Sequence, residues 1–237
     1  MSYRIIESPD NRTYKDLLKI KKGIPEEGLF LVEGEDLVEE AEKEKALEAL
    51  IMPLDKKAPW ENFPIYGLRE SLYRNLSSYQ SLPPCMGICR KRMSEELGPR
   101  VVYLDRVQDP GNAGTIIRTA LSFSYTGLML SKDAASLYNS KTIQSTKGAL
   151  FHLPIGRGDL SDLARKGYHI YVTTLDGVDE KTIPSLPEPF VLVFGNEGQG
   201  VRPEYQKLGT KLKIEMSGID SLNVAVASGI FLYRFKK

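Results

Sequence analysis

The stretch LDRVQDPGNAGTIIRTA, residues 104–120, decides the fold. It leaves an apolar run, Val101–Leu104, crosses a polar turn over Asp109–Gly114, and enters a helical pattern over Thr115–Ser124. In that pattern Ile116, Ile117, Ala120, Leu121 and Phe123 are apolar. Strand, turn and helix in this order form the repeating unit of a parallel α/β sheet. Asn112 sits near the start of the helix, where Asn is often only a cap. Arg118 is harder to explain as structure. A guanidinium beside Ile117 and Ala120 needs a partner, and a phosphate or a carboxylate suits its planar fork.

The same unit recurs downstream. Gly127–Leu130, His169–Thr173 and Phe190–Phe194 read as strands, the last apolar throughout, as a buried parallel strand is. Ile214–Met216 reads as a short strand and Leu222–Phe235 as an apolar closing helix. The expectation is an open parallel sheet with helices on both faces, its ligands held in loops beyond the carboxyl ends of the strands. Upstream, the short apolar runs Leu29–Val32, Ala49–Met52 and Met86–Cys89 alternate with helical patterns, one of them the acid-rich stretch from Glu33 to Glu48. This predicts a smaller α/β module. The polar segment RKRMSEELGPR (90–100) contains Gly98 and Pro99 and reads as the linker. Two domains are expected, 1–95 and 96–237.

Two further segments carry candidate chemistry. In VLVFGNEGQGV (191–201) a buried strand runs into three glycines within six residues. Such a loop allows close backbone approach to a ligand. The spacing is G-x-x-G-x-G, so neither the dinucleotide fingerprint nor a Walker A loop is present, which speaks against a nucleotide-dependent oxidoreductase. In IEMSGIDSLNVAVASGIFLYRF (214–235) Ser221 and Asn223 open the final helix, either as caps or as a polar helix start facing the same site.

Composition narrows the classes. The 237 residues carry 32 Lys+Arg and 31 Asp+Glu, a net charge of +1, which excludes a purely electrostatic nucleic-acid binder but not a local basic patch. Arg4, Arg12, Lys15, Lys19, Lys21 and Lys22 crowd the start of the chain. They read as a solvated helix face or as a phosphate-binding edge. Cys85 and Cys89 are too few for a disulfide framework, and C-x3-C without a nearby histidine is a poor zinc site, so no metal is expected. His152 and His169 are the only histidines, and G-x-S-x-G and H-E-x-x-H are absent. Hydrolase and metalloenzyme chemistry lacks its usual tools. The start MSYRIIESPDNRTYKD has no apolar signal region, and no apolar run reaches the ~20 residues of a membrane span; a cytoplasmic protein is expected.

Taken together, DPGNAGTIIRTA, LVFGNEGQGV and SLNVAVASGIFLYRF resemble the three motifs of the SpoU/TrmH family of the SPOUT class of RNA methyltransferases. Their order and spacing match, and the intervening KGALFHLP (147–154) has the family's look. The resemblance covers essentially all of 100–237. The first segment, with Asn11, Lys15 and LFLVEGEDLVEEA (29–41), is similar to the ribosomal-protein-like module that precedes the catalytic domain in many members.

The resemblance implies an α/β catalytic domain with a deep trefoil knot, a homodimer, and methyl transfer from S-adenosylmethionine to a ribose 2′-hydroxyl of RNA. It favours ribosomal RNA over tRNA; a non-catalytic RNA-binding protein of the same fold is the alternative. Carried over by position, the cofactor positions fall on Leu175, Gly195, Ile214, Met216 and Leu222. The catalytic positions fall on Asn112, Arg118, Glu197, Ser221 and Asn223. RNA contacts are expected from Arg4, Arg12, Lys15 and Lys19. Members commonly read Ile-Pro-Met in the third motif; Glu215 stands here in place of the proline, leaving the local backbone less restrained. An arginine, with a pKa above ~12, is a poor base. The preferred role for Arg118 is therefore to bind the adjacent phosphate and stabilise the developing alkoxide; the family view also lets it take the proton.

Overall fold

In the computed structural model, which describes residues 3–23, 28–60, 62–218 and 221–237, the chain begins with a short edge strand. The first elements are β1 (Tyr3–Ile6), α1 (Arg12–Lys21), β2 (Leu29–Glu33), α2 (Glu35–Lys43), β3 (Leu47–Pro53), β4 (Ile65–Leu68), α3 (Glu70–Leu76) and β5 (Met86–Arg90). Their sheet is mixed, in the order β1-β4-β3-β5-β2, with β5 antiparallel to both neighbours. Asn11 caps α1, accepting from the backbone N–H of Thr13 at 2.9 Å. That helix buries Tyr14, Leu17 and Ile20 and leaves Arg12, Lys15 and Lys19 exposed on the opposite face. Cys85 and Cys89 are buried and free, and burial pushes the Cys85 thiol up to about 12.

The second group of elements opens with β6 (Arg100–Leu104), α4 (Pro110–Ser122) and β7 (Gly127–Leu130). Then come α5 (Ser140–Thr146) and α6 (Ala149–His152). β8 (Ile155–Arg157), α7 (Leu160–Arg165), β9 (His169–Asp179), β10 (Phe190–Phe194), α8 (Pro203–Gln206), β11 (Thr210–Lys213) and α9 (Val224–Arg234) complete the chain. Six strands form one all-parallel sheet in the order β11-β9-β10-β6-β7-β8. β10 and β6 lie at its centre, buried along their whole length. The chain starts at β6, moves outward to β8, then restarts on the far side at β9. The direction of winding therefore reverses beside β6, and in open parallel sheets such a reversal leaves a crevice at the carboxyl ends of the strands.

Three readings from sequence need correction. The chain divides into two units, Met1–Arg92 with Tyr138–Phe151, and Met93–Leu137 with His152–Lys237. The boundary at 95/96 therefore misplaces an internal segment. Ile143 is buried in the core of the first unit, and the Phe30 ring meets those of Tyr138 at 4.7 Å and Phe151 at 6.0 Å. Second, the short strand near the third motif is Thr210–Lys213, and Ile214–Met216 lies beyond it as irregular chain. Third, α4 starts at Pro110 and not at Thr115. Asp109 is its N-cap, accepting from the backbone N–H of Asn112 at 2.8 Å, and Pro110 takes the first-turn position where its missing N–H costs nothing. Asn112 is thus the third residue of the helix, in its first turn.

Candidate functional site

Four loops leave the carboxyl ends of β6, β9, β10 and β11 on one side of the parallel sheet. Three of them and the start of α9 enclose a cavity of about 550 Å³. Its wall contains Leu175, Gly195, Ile214, Met216 and Leu222, and also Glu197 and Ser221. Residues 219–220 of the third motif lie outside the described residues.

Each loop reaches the cavity for a local reason. β11 pairs with β9 in parallel, but the register jumps: Lys211 faces Val172 and the next residue, Leu212, faces Val178. Residues 173–177 are therefore pushed out of the ladder. Leu175 sits in this bulge, 66% exposed, and forms part of the cavity wall. Gly177 closes the bulge; a Cβ there would meet the backbone of Lys211 at 2.6 Å. After β10, Gly195 is buried, and a Cβ on it would lie 2.2 Å from the backbone of Gly200 and Val201. The loop folds back on itself. Asn196 and Gly200 exchange two backbone hydrogen bonds, and the Asn196 Oδ1 accepts from the N–H groups of Gly198 and Gln199 at 2.9 and 3.1 Å.

The polar residues form a chain beside the cavity. Asn112 Nδ2 donates to Glu197 Oε1 at 2.8 Å, and Asn223 Nδ2 donates to Asn112 Oδ1 at 3.2 Å. Asn223 also caps α9, its Oδ1 accepting from the Ala225 N–H at 2.9 Å. One residue from each sequence motif is thereby joined in a single hydrogen-bonded row. Arg118 is not in the cavity wall. It is exposed on α4, about 9 Å along the helix axis from Asn112 at 1.5 Å per residue. Among the described residues its guanidinium has no hydrogen-bond or ion-pair partner.

Sequence reasoning missed the residues that hold this assembly. Asp105, fully buried at the end of β6, accepts from Arg202 Nε at 2.7 Å and from the Arg202 backbone N–H at 2.8 Å. Burial pulls the Arg202 guanidinium down, but the Asp105 carboxylate outweighs it and raises its pKa above the ordinary value. Asp133 binds the same guanidinium at 3.0 Å. The pair spans 97 positions, so no local pattern announces it.

Among the described residues the cavity lining holds two acids, Asp176 and Glu197, and no Lys, Arg or His, and Asp176 is already paired with Lys211 at 2.9 Å. A size of several hundred cubic ångströms, an apolar shelf and a glycine-lined backbone edge describe a small-ligand site, and the Glu197 carboxylate suits a cation. S-adenosylmethionine, a flat adenine carried on a ribose and joined to a positively charged sulfonium, fits these features. Among the described residues no group of three His, Cys, Asp or Glu side chains converges as a metal site, and no helix is long and apolar enough to cross a membrane.

Comparison with known proteins agrees with this geometry. A sequence profile of the SpoU rRNA Methylase family matches residues 99–233. The chain belongs to this family. Among SpoU relatives, the Bacillus subtilis (strain 168) 23S rRNA (guanosine(2553)-2'-O)-methyltransferase RlmP is 34% identical over 98% of both chains. An AdoMet-bound rRNA methyltransferase from Sinorhizobium meliloti superposes with a TM-score of 0.87 at 29% identity, covering 98% of this chain and 97% of that one. The SpoU methyltransferase AviRb from Streptomyces viridochromogenes, in complex with AdoMet, shares the fold at a TM-score of 0.84 and 23% identity, covering 94% of this chain and 96% of that one.

On the first unit the expected RNA contacts differ from one another. Arg4 is exposed on β1, and its side chain makes no hydrogen bond or ion pair among the described residues. Arg12 is exposed at the first position of α1. Lys15 pairs with Asp10 at 3.1 Å and Lys19 with Asp16 at 2.8 Å. The Lys19 hydrogen bond is the main reason the Asp16 carboxyl lies below its usual range. Half of the expected basic edge therefore already faces carboxylates.

Proposed function

We propose that this protein transfers a methyl group from S-adenosylmethionine to the 2′-hydroxyl of a ribose in ribosomal RNA. One observation carries the reading: the cavity wall that contains all five expected cofactor positions also presents Glu197, the end of the row Glu197–Asn112–Asn223. Large-subunit RNA is the first candidate, because the full-length Bacillus relative bears a 23S rRNA methyltransferase name.

When bound, the cofactor supplies an electrophilic methyl on its sulfonium, so the chain needs only to position and to manage one proton. Leu175, Ile214, Met216 and Leu222 would hold the adenosine and methionine portions by apolar contact, with backbone groups at Gly195. Glu197 would supply negative charge toward the sulfonium, while Asp176 is paired with Lys211. Asn112 and Asn223 fix the Glu197 carboxylate and orient the ribose, and Ser221 lines the same wall. Arg118, free of partners among the described residues, binds the phosphate next to the target ribose and stabilises the developing alkoxide while the 2′-hydroxyl proton passes to solvent water. Most of the acceleration comes from alignment.

Arg4 and Arg12, with Lys15 and Lys19, engage the RNA backbone from the first unit, which we read as the substrate-binding domain. The protein works in the cytoplasm as a homodimer. Val226, Ile230 and Tyr233 leave 54%, 37% and 58% of their surface exposed on one apolar face of α9, and a second copy of that face is their occupant. The carboxyl-terminal segment, which crosses from β11 back to pack α9 on α4, is threaded as a trefoil knot. No step of this reading calls for a metal.

Labelled methyl transfer to rRNA and, separately, to tRNA from a strain lacking the protein tests the assignment. Label in rRNA as an alkali-resistant dinucleotide is the expected result; label in tRNA alone overturns the substrate, and label in neither overturns the activity. The Arg118→Ala protein is expected to lose about 100- to 1,000-fold in turnover while its affinity for S-adenosylmethionine changes less than about threefold. Unchanged turnover removes Arg118 from the mechanism.

A further inference from the structure

Arg106 follows Asp105 at the end of β6 and holds a left-handed backbone, φ 57°. Arginine gains nothing from that conformation by itself, and a non-glycine residue keeps it only where the surroundings over-determine it. Here four contacts do so. Its backbone N–H donates to Ser131 Oγ at 2.9 Å, and its carbonyl accepts from Asn196 Nδ2 at 3.0 Å. Its guanidinium reaches over the tip of the glycine loop, Nη1 donating to Gln199 Oε1 at 3.0 Å and Nη2 lying 3.5 Å from the Gly200 carbonyl. The Nε is buried without a hydrogen-bond partner and lies 3.7 Å from the Asp105 carboxylate. A single dipeptide, Asp105-Arg106, therefore grips both ends of the second-motif loop, Arg202 on one side and Asn196 to Gly200 on the other.

We propose that Arg106 is a positioning residue for methyl transfer, a latch that holds the loop Gly195–Gly200 in the one shape that closes the cofactor cavity and keeps Glu197 on Asn112. The inference rests on the cofactor reading above. Its chemistry is that of a bidentate fork on two acceptors belonging to one loop. The αL backbone aims that fork; in an ordinary extended or helical conformation the side chain would leave the loop. The latch acts through Gln199 and Gly200 and touches neither the ribose nor the sulfonium.

Three variants separate a latch from mere structure. Arg106→Gly relaxes the backbone and removes the fork. Arg106→Lys keeps the charge and loses the fork. Gln199→Ala removes the acceptor. In hydrogen–deuterium exchange on the full protein without cofactor, the amides of 196–200 are expected to exchange about tenfold faster in all three. The melting temperature of Arg106→Gly should stay within about 3 °C of the parent, because relief of strain offsets the added freedom of the unfolded glycine. By calorimetry, S-adenosylmethionine affinity should fall about 5- to 20-fold in Arg106→Gly and Arg106→Lys, with the double variant Arg106→Gly, Gln199→Ala no worse than the worse single. Unaltered loop exchange in Arg106→Gly, or full additivity in the double variant, overturns the latch. If the parent protein itself binds no S-adenosylmethionine, the cofactor reading fails, and the exchange contrast still decides whether the loop is latched.

Discussion

Gly195 shows how a single residue sets what the cavity can hold. The loop returns so close to it that one added methyl would overlap backbone atoms, which unlike a side chain cannot swing aside. Gly195→Ala is expected to weaken S-adenosylmethionine binding at least 100-fold and to destabilise the protein by about 1–3 kcal/mol; titration calorimetry and thermal melting check the two halves. Arg4 and Arg12 belong to the same scale. Because Lys15 and Lys19 each have a carboxylate close by, removing Arg4 and Arg12 together should weaken RNA binding more than removing the two lysines. The salt slope should drop by about one for each phosphate left without its cation, read from binding isotherms at several salt concentrations. Some of the residues that the fold gathers at the cavity stand in short patterns: the glycines, Asn112, Glu197 and Asn223 sit in motifs whose spacing is local. Asp105, Arg106 and Arg202 were not legible from such patterns. A left-handed arginine has no sequence signature, and the Asp105–Arg202 pair exists only after two distant strands have been brought side by side.

Among the elements, α4 is the one whose start matters most. Asp-Pro-Gly has the look of a turn and suggests a helix from Thr115, although proline is well suited to a first helical turn. Asp109 caps the helix through the Asn112 N–H and thereby fixes the residue that contacts Glu197 and Asn223. Asp109→Ala should cost about 1 kcal/mol of stability, lowering the melting temperature by about 2–4 °C, and should reduce methyl transfer with it; Asp109→Asn should restore both. The β9 bulge was beyond reach for a different reason. The run from His169 reads as a strand whether or not five residues leave the ladder, since register is settled by the partner strand and not by the run itself.

For the whole molecule, the parallel sheet and the two-part division followed from the alternation of strand and helix signals, because each signal is a period within one short window. The assignment of Tyr138–Phe151 did not, since its apolar residues look the same whichever core receives them. Assembly is tested at this scale too. Replacing Ile230 with glutamate puts a charge in the middle of the exposed α9 face, and sedimentation equilibrium should then report a single-chain mass where the parent gives twice that. A parent that sediments as a single chain at micromolar concentration rejects the second copy as the occupant.

The excursion of Tyr138–Phe151 has a consequence for heredity and for engineering alike. The chain crosses between its two units three times, so no single cut separates them. A recombination at the apparent linker would carry off one unit lacking the segment that brings Tyr138, Ile143 and Phe151 to its core, and leave the other with a stranded apolar insertion. Exchange of the first unit between relatives therefore demands two coordinated swaps. Lineages of this architecture are expected to diverge by substitution within the pair rather than by shuffling its halves, and a designer who wants a new substrate domain must transplant two pieces of chain together.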